Sequence, residues 1–149
     1  MTNSNQLVLD KKNIDTILVL DFGSQYTQLI ARRIRELDVF SIILPWDISK
    51  ERIIDINPTG IILSGGPESV TNNNTPRIPK IIFDLEIPIL GICYGMQTLA
   101  EQFGGQVTAS KTKEFGHASI TLEEASILFD GFAAGSLVDV WMSHGDHVS

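Results

Sequence analysis

Cys93 is the only cysteine in the chain, and the residues around it have the pattern of a reactive thiol. An apolar run leads into Gly91-Ile92-Cys93-Tyr94-Gly95, and a helical pattern follows. This is the pattern of a nucleophile elbow, a tight strand-to-helix turn of the G-x-S-x-G type, with sulfur in place of oxygen. Glycines suit such a turn because neighbouring backbone comes close, and the N-terminus of the following helix favours the thiolate. The alternative is a buried cysteine that acts as a small hydrophobe.

A second segment, Ser64-Gly65-Gly66-Pro67, follows an apolar run and exposes backbone N–H groups without side-chain obstruction. Beside a cysteine nucleophile, such donors suit the oxyanion of a tetrahedral acyl intermediate. We predict that Gly66 and Tyr94 each supply one N–H, since the residue after the nucleophile in an elbow usually does so. A phosphate cradle is the alternative, because residues 64–69 loosely fit the S-G-G-x-x-S loop of ATP pyrophosphatases. A proline without an N–H and an adjacent glutamate in that loop favour the oxyanion role.

Two further patterns do not predict a metal site. Asp21-Phe22-Gly23 matches the kinase magnesium motif, but neither the glycine-rich loop nor the H-R-D segment accompanies it. His144 and His147 lack the Cys, Asp or Glu set that would complete a zinc shell. The sequence therefore predicts a strand-end turn at Asp21, and a structural or solvent-exposed role for these histidines and for His117.

The charge of the chain argues against nucleic acid as a partner. The 149 residues carry a formal net charge of -7, whereas binding to a phosphate backbone needs a positive face. Arg32, Arg33 and Arg35 do cluster, and they are interpreted as the solvated face of a helix. Hydrophobic residues make up 43% of the chain, which is typical of a globular protein with one substantial core.

No segment of the sequence resembles a membrane span or a targeting signal. Residues 1–12 lack the apolar core of a signal peptide, and no window approaches about 18 consecutive apolar residues. A single cysteine also excludes an intramolecular disulfide framework and fits a reducing compartment. We therefore expect a cytoplasmic protein that does not bind a membrane.

Apolar strands alternate with helical patterns along the first hundred residues. Strands are predicted at residues 17–20, 40–44, 60–63 and 87–92, and helices at 24–37, 76–85 and 96–103. Ser24 is the expected N-cap of the first helix. This alternation predicts an α/β fold with a doubly wound, mostly parallel sheet, whose site lies at the carboxyl ends of the strands. After Gln106, shorter strands at residues 107–108, 115–121 and 137–142 predict a small antiparallel portion.

Taken together, these residues resemble the class I (triad-type) glutamine amidotransferases, from about Asp15 to the last residue. Four segments carry the resemblance: residues 17–26, 61–70, 91–97 and 140–146. The resemblance implies a flavodoxin-like fold over residues 15–149, incomplete at its C-terminus, with residues 1–14 as an N-terminal tail.

The resemblance also implies the chemistry. Cys93 would attack the side-chain amide of L-glutamine, form a glutamyl thioester and release ammonia, while Gly66 and Tyr94 hold the oxyanion. The residues implied to hold the glutamine are Gly65, Gln97, Ser143, His144, Gly145 and Asp146. In the family, the ammonia passes to a synthetase domain or subunit of the ATP-pyrophosphatase type. ATP and Mg act there, so no cofactor and no metal are expected in this domain.

One departure from the family pattern concerns the general base. The family's base is a histidine in a Phe-His-Pro-Glu segment, downstream of the stretch that matches residues 140–146, and the sequence ends before it. Weak glutamine hydrolysis by this chain is therefore expected. The ending at Ser149 is also expected to leave a sheet edge unpaired, which would favour a homo-oligomer, a partner or poor solubility.

Two other functions remain as alternatives. A catalytically silent module that binds and regulates a synthetase subunit would share all these segments. A cysteine-elbow protein of the PfpI type would share the sheet and the elbow. Such proteins place a glutamate on the strand near the cysteine, where this chain has Ser64-Gly65-Gly66-Pro67 instead.

Overall fold

The computed structural model describes residues 14–148, with the backbone alone at residues 110–114 and at His144. Its contacts divide the chain into two compact units, one up to Leu99 and one from Ala100 onward. Each unit is described by itself below. All but the last residue of the predicted N-terminal tail, residues 1–14, lies outside the described residues.

The first unit is built on a sheet of four parallel strands. The strands are β1 (Thr16–Asp21), β2 (Phe40–Pro45), β3 (Gly60–Leu63) and β4 (Ile89–Gly91), in the order β2-β1-β3-β4. This order matches the first four strands of the flavodoxin-like doubly wound arrangement. The α/β fold with a mostly parallel sheet is thereby confirmed.

Strand β1 forms the centre of this sheet, and its burial explains its sequence. Leu18, Val19 and Leu20 are all 0% exposed, and β1 pairs with β2 on one side and with β3 on the other. A strand that is covered on both faces has a continuous apolar run rather than an alternating one. Burial of each such side chain stabilises the fold by about 1.5–3 kcal/mol.

Four helices connect or follow these strands. They are α1 (Thr27–Arg35), α2 (Lys50–Ile56), α3 (Ile81–Asp84) and α4 (Tyr94–Gln102). Helix α2 has no counterpart in the sequence-based prediction, although it has a regular start and end. The Ser49 side chain accepts a hydrogen bond from the N–H of Arg52, and Asn57 ends the helix in the left-handed conformation.

The predicted start of α1 was wrong. The helix begins at Thr27, and its N-cap position is Tyr26, without a side-chain capping bond. Ser24 Oγ accepts instead from the N–H of Tyr26 at 3.0 Å, which closes a turn before the helix. Thr27 Oγ1 donates to Asp21 Oδ1 at 2.8 Å, so the first helical residue is tied to the end of β1.

The predicted helix over residues 76–85 is much shorter in the structure, where α3 spans only Ile81–Asp84. Pro79 explains part of the difference, because the residue before a proline is driven out of the helical region. The side chain of Arg77 donates to the carbonyl of Pro76 at 3.3 Å and to that of Val70, earlier in the chain, at 2.9 Å. The segment between β3 and α3 is therefore an ordered loop.

The second unit contains one long antiparallel pair, β5 (Val107–Thr121) and β6 (Leu137–Val148). The pairing runs from Thr121 opposite Leu137 to Val107 opposite Val148, with an irregularity between Ala109 and Glu114. A 3₁₀ turn, Ile127–Phe129, lies between the strands. The antiparallel portion is confirmed, but its strands are longer than predicted.

One face of this strand pair is exposed. Phe115, Leu137 and Trp141 are 66%, 74% and 76% exposed, and they alternate with half-buried residues along their strands. Within residues 14–148, no helix combines the length and the apolar character that crossing a membrane requires.

Candidate active site

Cys93 lies in a sharp turn between β4 and α4. Its φ is +50°, a left-handed conformation that costs a residue with a Cβ roughly 1–2 kcal/mol. The turn is held by neighbouring backbone, since Ile92 N–H donates to the Leu63 carbonyl at 2.9 Å and Gly95 N–H donates to the Ser64 carbonyl at 3.0 Å. The Cys93 residue is exposed. The structure thus has the strained, solvent-facing turn of a nucleophile elbow, and Cys93 is not a buried hydrophobe.

The two glycines beside this turn are required by close backbone approach. A Cβ built at Gly95 would lie 2.6 Å from the Cβ of Leu63 and would collide with the Leu63 carbonyl oxygen. A Cβ at Gly91 would lie 2.6 Å from the Cα of Met96. Larger residues would push α4 away from the ends of β3 and β4, so the glycine spacing specifies the turn.

The loop that follows β3 lies directly against Cys93. A Cβ built at Gly65 would be 3.4 Å from the Cβ of Cys93. Ser64 is 0% exposed, and its Oγ accepts from the N–H of Phe22 at 3.0 Å and donates to the Gly65 carbonyl at 2.9 Å. The loops after β1, β3 and β4 therefore meet at the carboxyl ends of the parallel strands.

The two predicted oxyanion donors belong to this same unit. Gly66 follows Gly65, and a Cβ there would lie 2.5 Å from the Phe22 carbonyl oxygen. Tyr94 is the first residue of α4 and directly follows Cys93. Between residues 14 and 148, the backbone N–H groups of Gly66 and Tyr94 donate to no other described residue. Both groups are thus available for an external acceptor.

The side chain of Tyr94 points into the protein. It is 2% exposed, and its ring packs against Phe22 with centroids 5.5 Å apart and planes at 49°. Its hydroxyl donates to the Pro76 carbonyl at 2.5 Å and accepts from Arg77 Nη1 at 3.2 Å. Tyr94 is therefore anchored at both ends, by its backbone at the elbow and by its hydroxyl in the loop after β3.

Gln97 lies one helical turn beyond Cys93. Its backbone N–H donates to the Cys93 carbonyl at 3.0 Å, and the residue is 6% exposed. Five of the predicted site residues thus come together at the first unit's sheet edge: Gly65, Gly66, Cys93, Tyr94 and Gln97.

The remaining predicted residues lie on β6, in the second unit. Ser143 is exposed and pairs with Phe115, whereas Asp146 is half-buried and pairs with Ala109. Gly145 lies opposite the irregularity in β5, where the strands leave their regular register. The side chain of His144 lies outside the described part of the structure.

The other two histidines lie on the exposed surface of the strand pair. His117 Nε2 is 3.4 Å from Asp139 Oδ1, and His147 Nε2 is 3.1 Å from Thr108 Oγ1. Across the part of the chain that the structure describes, no group of three or more His, Cys, Asp or Glu residues could hold a metal ion. Both histidines are thus engaged in surface polar contacts.

Arg77 is a residue at this site to which the sequence drew no attention. It sits in a Thr-Pro-Arg segment without a recognisable catalytic motif. Its role becomes visible only through its partners, which are carbonyl groups and a hydroxyl brought together by the fold. A pattern of residue types cannot reveal bonds to backbone carbonyls, since every residue has one.

Comparisons with known proteins agree with this geometry. The family model described as glutamine amidotransferase class-I matches residues 18–149. A glutamine-hydrolyzing GMP synthase from Colwellia psychrerythraea is 57% identical over 139 residues, which cover 89% of this chain and 26% of that protein. One from Vibrio vulnificus strain YJ016 is 55% identical over 139 residues, covering 92% of this chain and 26% of the relative. The chain thus spans about a quarter of the length of these curated relatives.

Solved structures give the same result for the fold. A protein from Thermoplasma acidophilum, provisionally assigned to GMP synthase as one of its subunits, has a TM-score of 0.72 and 30% identity, covering 91% of this chain and 67% of that one. A glutamine amidotransferase from Methylobacillus flagellatus has a TM-score of 0.66 at 19% identity, covers 91% and 57% of the two chains, and supports the fold alone. With a family match that extends from the first strand to the last residue, the chain belongs to the class-I glutamine amidotransferase family.

Proposed function

We propose that this chain is the glutamine-hydrolysing domain of a GMP synthase. The family membership supports a glutamine amidotransferase, and the names of the relatives support the GMP synthase assignment. Two sequence segments add to this, because Asp-Phe-Gly-Ser-Gln-Tyr at residues 21–26 and Trp-Met-Ser-His-Gly-Asp at residues 141–146 are typical of that enzyme.

In the proposed reaction, the Cys93 thiolate attacks the side-chain amide carbon of L-glutamine. The carbonyl π electrons move onto oxygen, and the tetrahedral intermediate collapses when the C–N bond breaks. The leaving nitrogen takes up the proton that the thiol lost and departs as ammonia, which leaves a γ-glutamyl thioester. Water then attacks the thioester carbon, releases glutamate and returns a proton to the sulfur, so no cofactor is consumed.

Gly66 and Tyr94 stabilise the intermediate in this proposal. Their backbone N–H groups would donate to the oxygen on which negative charge develops, and removal of one such donor commonly costs about 10²–10³ in rate. The residues proposed to hold the substrate are those that the family resemblance implies: Gly65, Gln97, Ser143, His144, Gly145 and Asp146.

The ammonia is proposed to serve an amination carried out elsewhere. A synthetase domain or subunit of the ATP-pyrophosphatase type would activate xanthosine monophosphate with ATP and Mg, and ammonia would convert it to GMP. This chain covers about a quarter of the length of its curated relatives, and the proposed synthetase is not part of these 149 residues.

The observation that carries the proposal is the conformation of Cys93, exposed at φ +50° beside the Gly65 loop. The test uses a chloromethyl ketone analogue of glutamine, in which the chloroketone replaces the side-chain amide. The sulfur would form a thioether and chloride would leave. Intact mass spectrometry is expected to detect one adduct, located at Cys93 by peptide mapping and suppressed by excess glutamine but not by glutamate.

The Cys93→Ala variant is the matched control and should remain unlabelled. An unchanged intact mass after prolonged incubation, or labelling that glutamine does not suppress, would contradict the proposal. The alternative is a catalytically silent module that binds a synthetase subunit. That module would remain unlabelled and would still form a complex with a separately expressed synthetase domain at micromolar concentration.

A further inference from the structure

The Arg77 guanidinium organises the loop between β3 and α3, residues 64–80. Its Nη2 donates to the Val70 carbonyl at 2.9 Å. Its Nη1 lies 2.6 Å from Thr75 Oγ1, 3.3 Å from the Pro76 carbonyl and 3.2 Å from the Tyr94 hydroxyl. One side chain thus connects two distant parts of the loop with a residue of the elbow.

These contacts converge on the buried hydroxyl of Tyr94. That hydroxyl donates to the Pro76 carbonyl and accepts from Arg77, so both its donor and its acceptor capacity are used. The ring is 2% exposed and packs on Phe22. If the Arg77 guanidinium moved away, the buried Tyr94 hydroxyl would lose its hydrogen-bond donor, and that end of the Tyr94 ring would be less firmly held.

The contacts of the Tyr94 side chain also fix the position of its backbone N–H, because ring and backbone belong to the same residue. Its N–H directly follows Cys93, and the loop held by Arg77 begins with Ser64-Gly65-Gly66. The two proposed oxyanion donors, Gly66 and Tyr94, therefore sit on separate segments. The Arg77–Tyr94 contact joins those segments a second time, away from the reacting atoms.

We propose that Arg77 is a positioning residue. It holds the backbone N–H groups of Tyr94 and Gly66 at the positions from which both can donate to the oxyanion. This inference rests on the proposed function, since it assigns Arg77 a task within that same site. In this proposal, Arg77 acts through Tyr94 and not through a contact with the substrate. A planar fork that binds several oxygens at fixed angles suits this task, and the single ammonium of lysine cannot reproduce it.

The experiment compares two reagents on the full 149-residue chain. The chloromethyl ketone analogue of glutamine puts a carbonyl where the oxyanion forms, so its rate depends on the donors. Methyl methanethiosulfonate has no carbonyl; its sulfur is attacked by the thiolate, methanesulfinate leaves and a mixed disulfide forms. The ratio of the two rates therefore reports the oxyanion donors separately from the reactivity of the thiol.

Two variants test the inference, Arg77→Lys and Tyr94→Phe. Each is expected to lower the maximal labelling rate with the chloroketone about tenfold, below the loss for a deleted donor, because the N–H remains but is misplaced. The half-saturating concentration and the methanethiosulfonate rate are expected to stay within twofold of the unsubstituted chain. The double variant should be no slower than Tyr94→Phe, since both changes break the same contact.

Arg35→Lys is the matched control. Arg35, on α1, also donates to a backbone carbonyl, that of Ser41, at 3.1 Å. It should leave both rates unchanged. The inference is overturned if Arg77→Lys and Tyr94→Phe keep the ratio of the unsubstituted chain, or if both reagents slow equally. If Arg77→Lys fails to fold by circular dichroism, Tyr94→Phe decides alone. An unsubstituted chain without preference for the glutamine analogue overturns the proposed function itself, and the inference with it.

Discussion

Among single residues, Cys93 has an unfavourable backbone conformation, which nothing about a cysteine side chain favours. The φ of +50° places a residue with a Cβ in a conformation that glycine adopts without steric penalty. The surrounding hydrogen bonds from Ile92 and Gly95 to the end of β3 hold the turn in place. The strain is thus imposed by the packing of α4 against the sheet.

The first prediction follows from this conformation. Cys93→Gly is expected to have a free energy of unfolding about 1 kcal/mol higher than Cys93→Ala, because glycine avoids the left-handed penalty while alanine keeps it. Urea denaturation of the two variants, followed by circular dichroism, measures the difference. Both lack the thiol, so loss of reactivity is common to them. A Cys93→Ala variant that is equal to or more stable than Cys93→Gly would show that the turn relaxes.

At the scale of secondary-structure elements, α2 offers a test of local capping. Ser49 Oγ accepts from the Arg52 N–H at 3.3 Å, and Ile53 is the only buried residue that the helix contributes. A helix of seven residues with so little burial depends on its ends more than a longer one does.

We therefore predict that Ser49→Ala lowers the free energy of unfolding by about 1 kcal/mol, since the N–H of Arg52 loses its acceptor. Ser49→Asp keeps an acceptor oxygen and should lie within a few tenths of a kcal/mol of the unsubstituted chain. Chemical denaturation measures both variants. Equal losses for alanine and aspartate would indicate that the hydroxyl does not cap α2.

The strands of the parallel sheet could be predicted because burial on both faces leaves a continuous apolar run. Residues 17–20 and 60–63 were predicted, and the structure has strands at Thr16–Asp21 and Gly60–Leu63. The elbow at Cys93 was equally visible, because close backbone approach requires glycine on both sides of it.

Other features depend on contacts that a sequence pattern does not contain. Helix α2 was missed because its one buried residue, Ile53, produces no periodic apolar stripe. Helix α3 was predicted too long because Pro79 interrupts the segment and because the Pro76 carbonyl accepts from Arg77 and from the Tyr94 hydroxyl. The length of β5 was underestimated because polar residues 110–114 interrupt the alternation of apolar side chains.

For the molecule as a whole, labelling of the Cys93 thiol and hydrolysis of glutamine are expected to place different demands on the chain. The 149 residues contain no Phe-His-Pro-Glu segment, which in the family supplies the histidine base and its glutamate. General acid–base catalysis typically contributes 10²–10⁴-fold in rate. The turn at Cys93 and the proposed oxyanion donors, Gly66 and Tyr94, would not replace this contribution.

We predict that the 149-residue chain releases ammonia from glutamine at least about 100-fold more slowly than a full-length relative, while Cys93 still reacts with the chloroketone. A coupled glutamate dehydrogenase assay measures the ammonia, with Cys93→Ala as the blank. Ammonia release at the rate of a full-length relative would mean that another group of this chain acts as the base.

The strained turn at Cys93 also means that the residue that would give the highest stability at this position differs from the residue that supplies the thiol. In a library screened only for thermal resistance, glycine at this position should be enriched, because nothing then rewards the sulfur. A screen that demands labelling by the chloroketone should remove the same clones, because they lack the thiol. The two screens would therefore diverge at one codon, and that divergence would show that the protein gives up stability to keep this cysteine.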